Sequence, residues 1–299
     1  MERSERFGRA DGIIKVGFWV SALLMIMKLL AGYYGSSEAV FADGIESVCD
    51  FIAILTTMIA LNVGRKPFDE RHPYGHGKAE SLSAIFVSLV IFGTGGWILY
   101  KSATTIINSE YSSPQMIAVG AAFLTIITKE WLYRFSMKGG SSIESPALLA
   151  LAKDHRKDAI TSIATLIGVT GAFFGIRIMD PLAAGLTAFF IFHIGWGTLR
   201  SASHDLMDEQ PDEGLLATMT AIAQGVEGVE HVHEIRGRRS GQYLIIDLKL
   251  EMDPEMTVKE SHAIATEVKK RIFARYMNVG DVMIHVNPHE EEHEDLIRL

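Results

Sequence analysis

The chain has 299 residues, 48% of them hydrophobic, a mean hydropathy of +0.19 and a formal net charge of −8. The acidic balance argues against nucleic acid as a partner. The single cysteine, Cys49, excludes an internal disulfide framework and a CxxC zinc ribbon. Apolar residues are bunched before about residue 205, so a helical membrane domain followed by a smaller soluble domain is expected.

The N-terminus mixes Arg3, Arg6, Arg9 and Lys15 with Glu2, Glu5 and Asp11, and no small-residue cleavage site follows the first apolar stretch. It reads as a cytoplasmic lead into a retained first span. Six stretches can cross about 30 Å of hydrocarbon: roughly Ile13 to Tyr34, Ala39 to Val63, Ser81 to Ile107, Pro114 to Ser136, Pro146 to Gly175 and Ile178 to Leu199. The links after spans two and four carry Arg65, Lys66, Arg71, Lys78, Arg134 and Lys138, whereas the opposite links hold one basic residue, Arg177. The positive-inside rule therefore puts both termini in the cytoplasm.

Within the second span, Asp43, Glu46 and Asp50 fall three and four residues apart and share one helix face. An ionised carboxylate at the bilayer centre costs about 3 kcal/mol or more, so an intramembrane acidic stripe signals function. The fifth span contains Lys153-Asp154-His155-Arg156-Lys157-Asp158, with Asp154 and Asp158 again four apart. If the two spans are neighbours, Glu46, Asp50, Asp154 and Asp158 converge into a four-oxygen site for a divalent cation. Without the metal these carboxylates cannot all remain ionised, which gives a physical route to metal/proton exchange. The bland alternative is that Lys153, Arg156 and Lys157 neutralise the fifth-span acids at the lipid interface. Asp43 is either an extra ligand or a packing or proton-accepting group.

After the sixth span the periodicity changes. Asp212 to Gly225 reads as an amphipathic helix. His231 to Arg238 and Gln242 to Met252 read as strands joined at Arg239-Ser240-Gly241, Thr257 to Tyr276 as a second helix, and Asp281 to Asn287 as a third strand. The order αββαβ predicts a small ferredoxin-like α+β domain. The expected organisation is a six-helix transmembrane domain over 1–205, a cytoplasmic ferredoxin-like domain over 206–288, and a disordered acidic and histidine-bearing tail over 289–299. His289 to His293 satisfies HExxH in letters, but that chemistry needs a packed helix and a third ligand. No GxxxxGK[ST] loop is present, which argues against an ATP-driven pump, and no organic cofactor is expected.

The whole pattern resembles the cation diffusion facilitator family, which has six spans, cytoplasmic termini, a ferredoxin-like C-terminal domain and paired metal ligands in spans two and five. His72-Pro73-Tyr74-Gly75-His76-Gly77-Lys78-Ala79-Glu80 closely matches its HxxGHGKxE loop signature. The resemblance implies a homodimeric, non-enzymatic transporter in a lipid bilayer, exporting a divalent metal from the cytoplasm against protons. Zinc-moving members place Asp or His first in span two and His first in span five, where this chain has Glu46 and Asp154. An all-oxygen set is hard, so Mn²⁺ is the first choice of substrate, with Fe²⁺ or Zn²⁺ next. Recruitment of His155 would restore a zinc-like set.

The same resemblance makes Asp69, His72 and His76 a candidate loop metal site, and Lys78 with Asp208 an interlock near the dimer contact. It also points to His233, His262 and His285 as a candidate regulatory metal site between protomers. Lys249 and Asn287 depart from the family pattern there, and a protonated lysine repels a cation. A bacterial inner (plasma) membrane is the expected location. The rival reading is a membrane metal sensor or scaffold that binds without conducting; a passive channel is the other, and proton coupling separates it.

Overall fold

The computed structural model of the chain describes residues 3–142 and 145–289, so all of the expected tail except His289 lies outside the described residues. Six long helices come first: α1 Arg3–Tyr34, α2 Glu38–Gly64, α3 Ala79–Asn108, α4 Met116–Ser142, α5 Pro146–Phe173 and α6 Met179–Leu206. They are followed by α7 Glu213–Gln224, β1 His231–Ser240, β2 Tyr243–Met252, α8 Val258–Arg275 and β3 Val279–Pro288. Five of the long helices are apolar enough to cross a membrane; α5 is as long, but its charged run dilutes its first half.

Contacts divide the chain into two compact units. One comprises the chain up to Leu55 with Phe86–Thr198, and the other Thr56–Ile85 with the chain from Leu199 onward. In the first unit, α1 shows how sequence sorts its faces. Leu24, Lys28 and Ala31 are buried, while Trp19, Leu23, Ile26, Leu30 and Tyr33 form an outward stripe at the same helical spacing. Such an apolar outer face suits lipid, not water.

The α4–α5 pair is packed through small residues. The buried face of α4 runs Ala118, Ala122, Thr125, Lys129, Leu132, Ser136 and Gly140, at intervals that keep one stripe turned inward. A Cβ on Gly140 would stand 3.0 Å from that of Leu148, so the helices approach closely where α5 begins. α5 itself starts under an N-cap, with Ser145 Oγ accepting from the Leu148 amide. At the other end of the bundle, the buried Asp180 of α6 accepts from Ser37 Oγ at 2.6 Å and from the Glu38 amide, which caps the start of α2 from a different helix. These contacts fix α2 and α5, the two acid-bearing helices, within one bundle.

The second unit contains a three-stranded sheet of order β1-β2-β3, antiparallel between β1 and β2 and parallel between β2 and β3. The α8 crossover makes the parallel pairing possible. Central β2 buries Leu244, Ile246, Leu248, Leu250 and Met252 at period two. Leu216, Met219 and Ala223 of α7 and Val268 and Ile272 of α8 complete that core. β1 runs two residues past the expected end, pairing Ser240 with Tyr243, so the turn is Gly241-Gln242. Gly241 has φ +60°, as a two-residue hairpin of the II′ kind requires at its first position. α8 carries a full capping box between Thr257 and Glu260.

Candidate metal transport site

α2 and α5 face a cavity of about 630 Å³ in the first unit, and Glu46, Asp50, Asp154 and Asp158 all line it, together with His155. Spacing placed each pair on one helix face, and the bundle turns both faces to the same space. The four carboxylates do not close into a ligand set. Among the described residues, the only trio of possible ligand atoms within 4.8 Å of one another is Asp69, His72 and His76.

Asp43 is not part of the cavity lining. It is buried and bound to Lys28 Nζ at 2.8 Å, and it accepts from Ser162 Oγ at 3.2 Å. Lys28 also donates to Ser47 Oγ at 3.0 Å, so α1, α2 and α5 are tied through one buried charge pair. His155 is buried, and its Nε2 has no hydrogen-bond partner among the described residues. A Cβ on Gly17 would stand 3.4 Å from that nitrogen, so α1 packs against the ring at this point.

Two buried cations escaped the sequence reasoning: Lys28 and Lys129. Lys129 of α4 lines the cavity and pairs with Asp158 Oδ2 at 2.8 Å. The signal was available, because an ionisable residue in an apolar span calls for a partner. Lys153, Arg156 and Lys157, proposed above as neutralising groups, are exposed, and Arg156 lies 3.8 Å from Glu130.

In the loop between α2 and α3, Asp69 Oδ1 accepts from the amides of His72 (2.7 Å) and Arg71 (2.9 Å) and lies 3.1 Å from His72 Nδ1. These bonds, the His72 amide first, hold the exposed Asp69 carboxyl below its ordinary acidity range. Asp69 Oδ2 is 3.5 Å from His76 Nε2. Two imidazoles and a carboxylate at this spacing are a competent donor set for a divalent transition metal. Gly77 follows because nothing larger fits: a Cβ there would stand 2.4 Å from the Ser240 carbonyl oxygen at the end of β1. Lys78 donates to Asp208 Oδ1 at 2.7 Å and to the Asp205 carbonyl, so the two expected interlock residues meet within one chain.

Among the described residues, the three C-terminal histidines expected as a regulatory site do not come together as one ligand group. His233 lies at a register shift in β1, 3.1 Å from Glu251 Oε1, while His262 and His285 are exposed. Glu251 is buried, and its other oxygen is 2.8 Å from His289 Nδ1. Lys249 is opposite His285 in the β2–β3 register and bonds Glu234 at 2.9 Å. That bond, followed by Arg236, holds the Glu234 carboxyl below its usual 4.5. A depressed folded-state value contributes stability fully above the unfolded value and loses it as pH falls through the folded one. Thermal melts of wild type and Lys249→Met are therefore expected to differ at neutral pH and to converge below pH 4.5; a gap that stays constant would break this assignment.

Comparison with known proteins places residues 14–207 in the family described as "Cation efflux transmembrane domain" and residues 211–289 in "Cation efflux protein, cytoplasmic domain". The chain is 34% identical to the "Manganese efflux system protein MneP" of Bacillus subtilis, over 97% of this chain and 99% of that protein. It is 32% identical to the "Magnetosome protein MamB" of Magnetospirillum gryphiswaldense, over 93% of this chain and 94% of that one. It is 30% identical to "Manganese efflux system protein MneS" of Bacillus subtilis, over 98% of this chain and 100% of that one. Among solved structures, a nickel form of a MamM CTD variant is 25% identical, covering 26% of this chain and 100% of that chain, with TM-score 0.26.

Proposed function

The chain belongs to the cation diffusion facilitator, or cation efflux, family, and from that membership we propose a homodimeric secondary transporter that exports a divalent metal from the cytoplasm in exchange for protons. It is an integral membrane protein of a metal-transporting family. The observation that carries the finer reading is the cavity where acid pairs from α2 and α5 meet. Glu46, Asp50, Asp154 and Asp158 bind the ion, and protons replace it when it leaves. The bundle exposes the cavity to the two sides in turn.

Mn²⁺ is the proposed substrate, because four carboxylates form a hard donor set. The names of MneP and MneS, two manganese efflux relatives, support the same ion. Fe²⁺ and then Zn²⁺ follow, the latter through His155. The basic links favour both termini on the cytoplasmic side, and a bacterial inner membrane is the proposed location. The loop trio and the soluble-domain histidines are proposed as accessory metal sites, and Lys78 with Asp208 as a brace near the dimer contact.

Proteoliposomes with an imposed pH difference test the proposal. Mn²⁺ is expected to accumulate against its gradient while protons move the other way. Flux without proton movement marks a channel, and binding without flux marks a sensor or scaffold; either result removes the antiport reading.

A further inference from the structure

The two buried lysines, Lys28 and Lys129, hold their carboxylates in different ways. Lys28 and Asp43 are sealed, with side chains 2% and 6% exposed, and further bonds from Lys28 to Ser47 and from Ser162 to Asp43 complete the network. Lys129 and Asp158 are 8% and 27% exposed, and both border the cavity. Lys129 Nζ has a second acceptor in reach, Ser21 Oγ on α1, at 3.5 Å. The first pair is locked, whereas the second opens onto the space a metal must enter.

We propose that Lys129 is a tethered cation that occupies the Asp158 end of the cavity between metal loads, and that an incoming divalent ion must displace it. This rests on the transporter reading above. One carboxylate cannot hold an ammonium and a divalent ion at contact without strong repulsion between the cations. Ser21 supplies the place to which the displaced ammonium turns. The cavity is also bordered by Lys157, which is exposed, so Lys129 is the buried cation there.

With an ion bound and all four carboxylates ionised, the lining has four negative groups and two positive ones, Lys129 and Lys157, a formal charge of −2 before the ion is counted. That charge matches one divalent ion. Removing the ammonium leaves an excess negative charge and frees Asp158. The ion then binds more tightly and leaves more slowly. Lys129 is thus a residue that sets affinity and release, not a ligand.

The test is Mn²⁺ binding to purified full-length protein at fixed pH, paired with Mn²⁺ uptake into proteoliposomes, for wild type, Lys129→Met, Lys129→Gln and Lys129→Arg. Both neutral variants are expected to bind Mn²⁺ roughly tenfold more tightly, with a lower half-saturation concentration and a lower maximal rate. Lys129→Arg is expected to keep the weaker affinity, because it keeps the charge. A purely structural pair predicts the opposite: weaker binding in the neutral variants. Lys129→Gln retains a donor toward Asp158 and serves if Lys129→Met fails to fold. Wild-type transport with unchanged or weaker binding in the neutral variants overturns the role of Lys129 alone. A wild type that neither binds nor moves Mn²⁺ overturns the transporter reading first.

Discussion

Asp50→Ala is expected to reduce Mn²⁺ uptake by purified protein in vesicles by at least about a hundredfold, since even outer-shell partners of metal ligands are commonly worth 10- to 100-fold. Asp50 lies on the open side of α2, is exposed to the cavity, and makes no hydrogen bond or ion pair among the described residues. Its removal therefore takes a proposed ligand from the site without breaking a hydrogen bond or an ion pair. Folding, checked by size-exclusion profile and thermal unfolding, should stay near wild type. Asp43→Ala makes the contrast, because it leaves Lys28 as an uncompensated buried charge and should destabilise the bundle. Full uptake by Asp50→Ala would show that the ion passes elsewhere.

Asp154→His should change the choice of ion more than the rate. Asp154 is exposed to the cavity, at the position where the family resemblance leads one to expect histidine in zinc-moving members. Exchanging one hard oxygen for an imidazole nitrogen makes the donor set more favourable to Zn²⁺ relative to Mn²⁺. In competitive uptake of Mn²⁺, Fe²⁺, Zn²⁺ and Co²⁺, the Zn²⁺-to-Mn²⁺ ratio is expected to rise roughly tenfold or more. The neighbouring His155 is already buried with a free Nε2, so the comparison needs His155→Ala in the same background. An unmoved ratio in both backgrounds would sink the hard-ligand argument.

The helices were legible because apolar residues bunch, but their ends were not. α6 continues to Leu206 where hydropathy marked Leu199, and α4 to Ser142 where it marked Ser136. Hydropathy reports the lipid-crossing portion, whereas a helix ends where its backbone bonding stops. β1 shows the same gap: Arg239-Ser240 has turn-like composition, yet both residues pair with β2. The acid pairs were legible because four-residue spacing fixes a shared face within one helix. Their counterions were not, since Lys28 and Asp43 lie 15 residues apart on different helices, and Lys129 and Asp158 lie 29 apart. Spacing predicts neighbours within an element; only tertiary packing brings α4 beside α5.

The small-residue seam between α4 and α5 bears on how the chain is made. α5 carries six consecutive polar residues, Lys153 to Asp158, and among the described residues it is the one of the six long helices that does not meet the length-and-apolarity measure that the other five satisfy. A nascent segment of that kind partitions poorly into lipid by itself. Its partner helix offers a ready shelter, with Lys129 meeting Asp158 and Gly140 admitting Leu148. The two therefore suit delivery to the bilayer as a hairpin, so the pairing of Lys129 with Asp158 also eases the birth of α5.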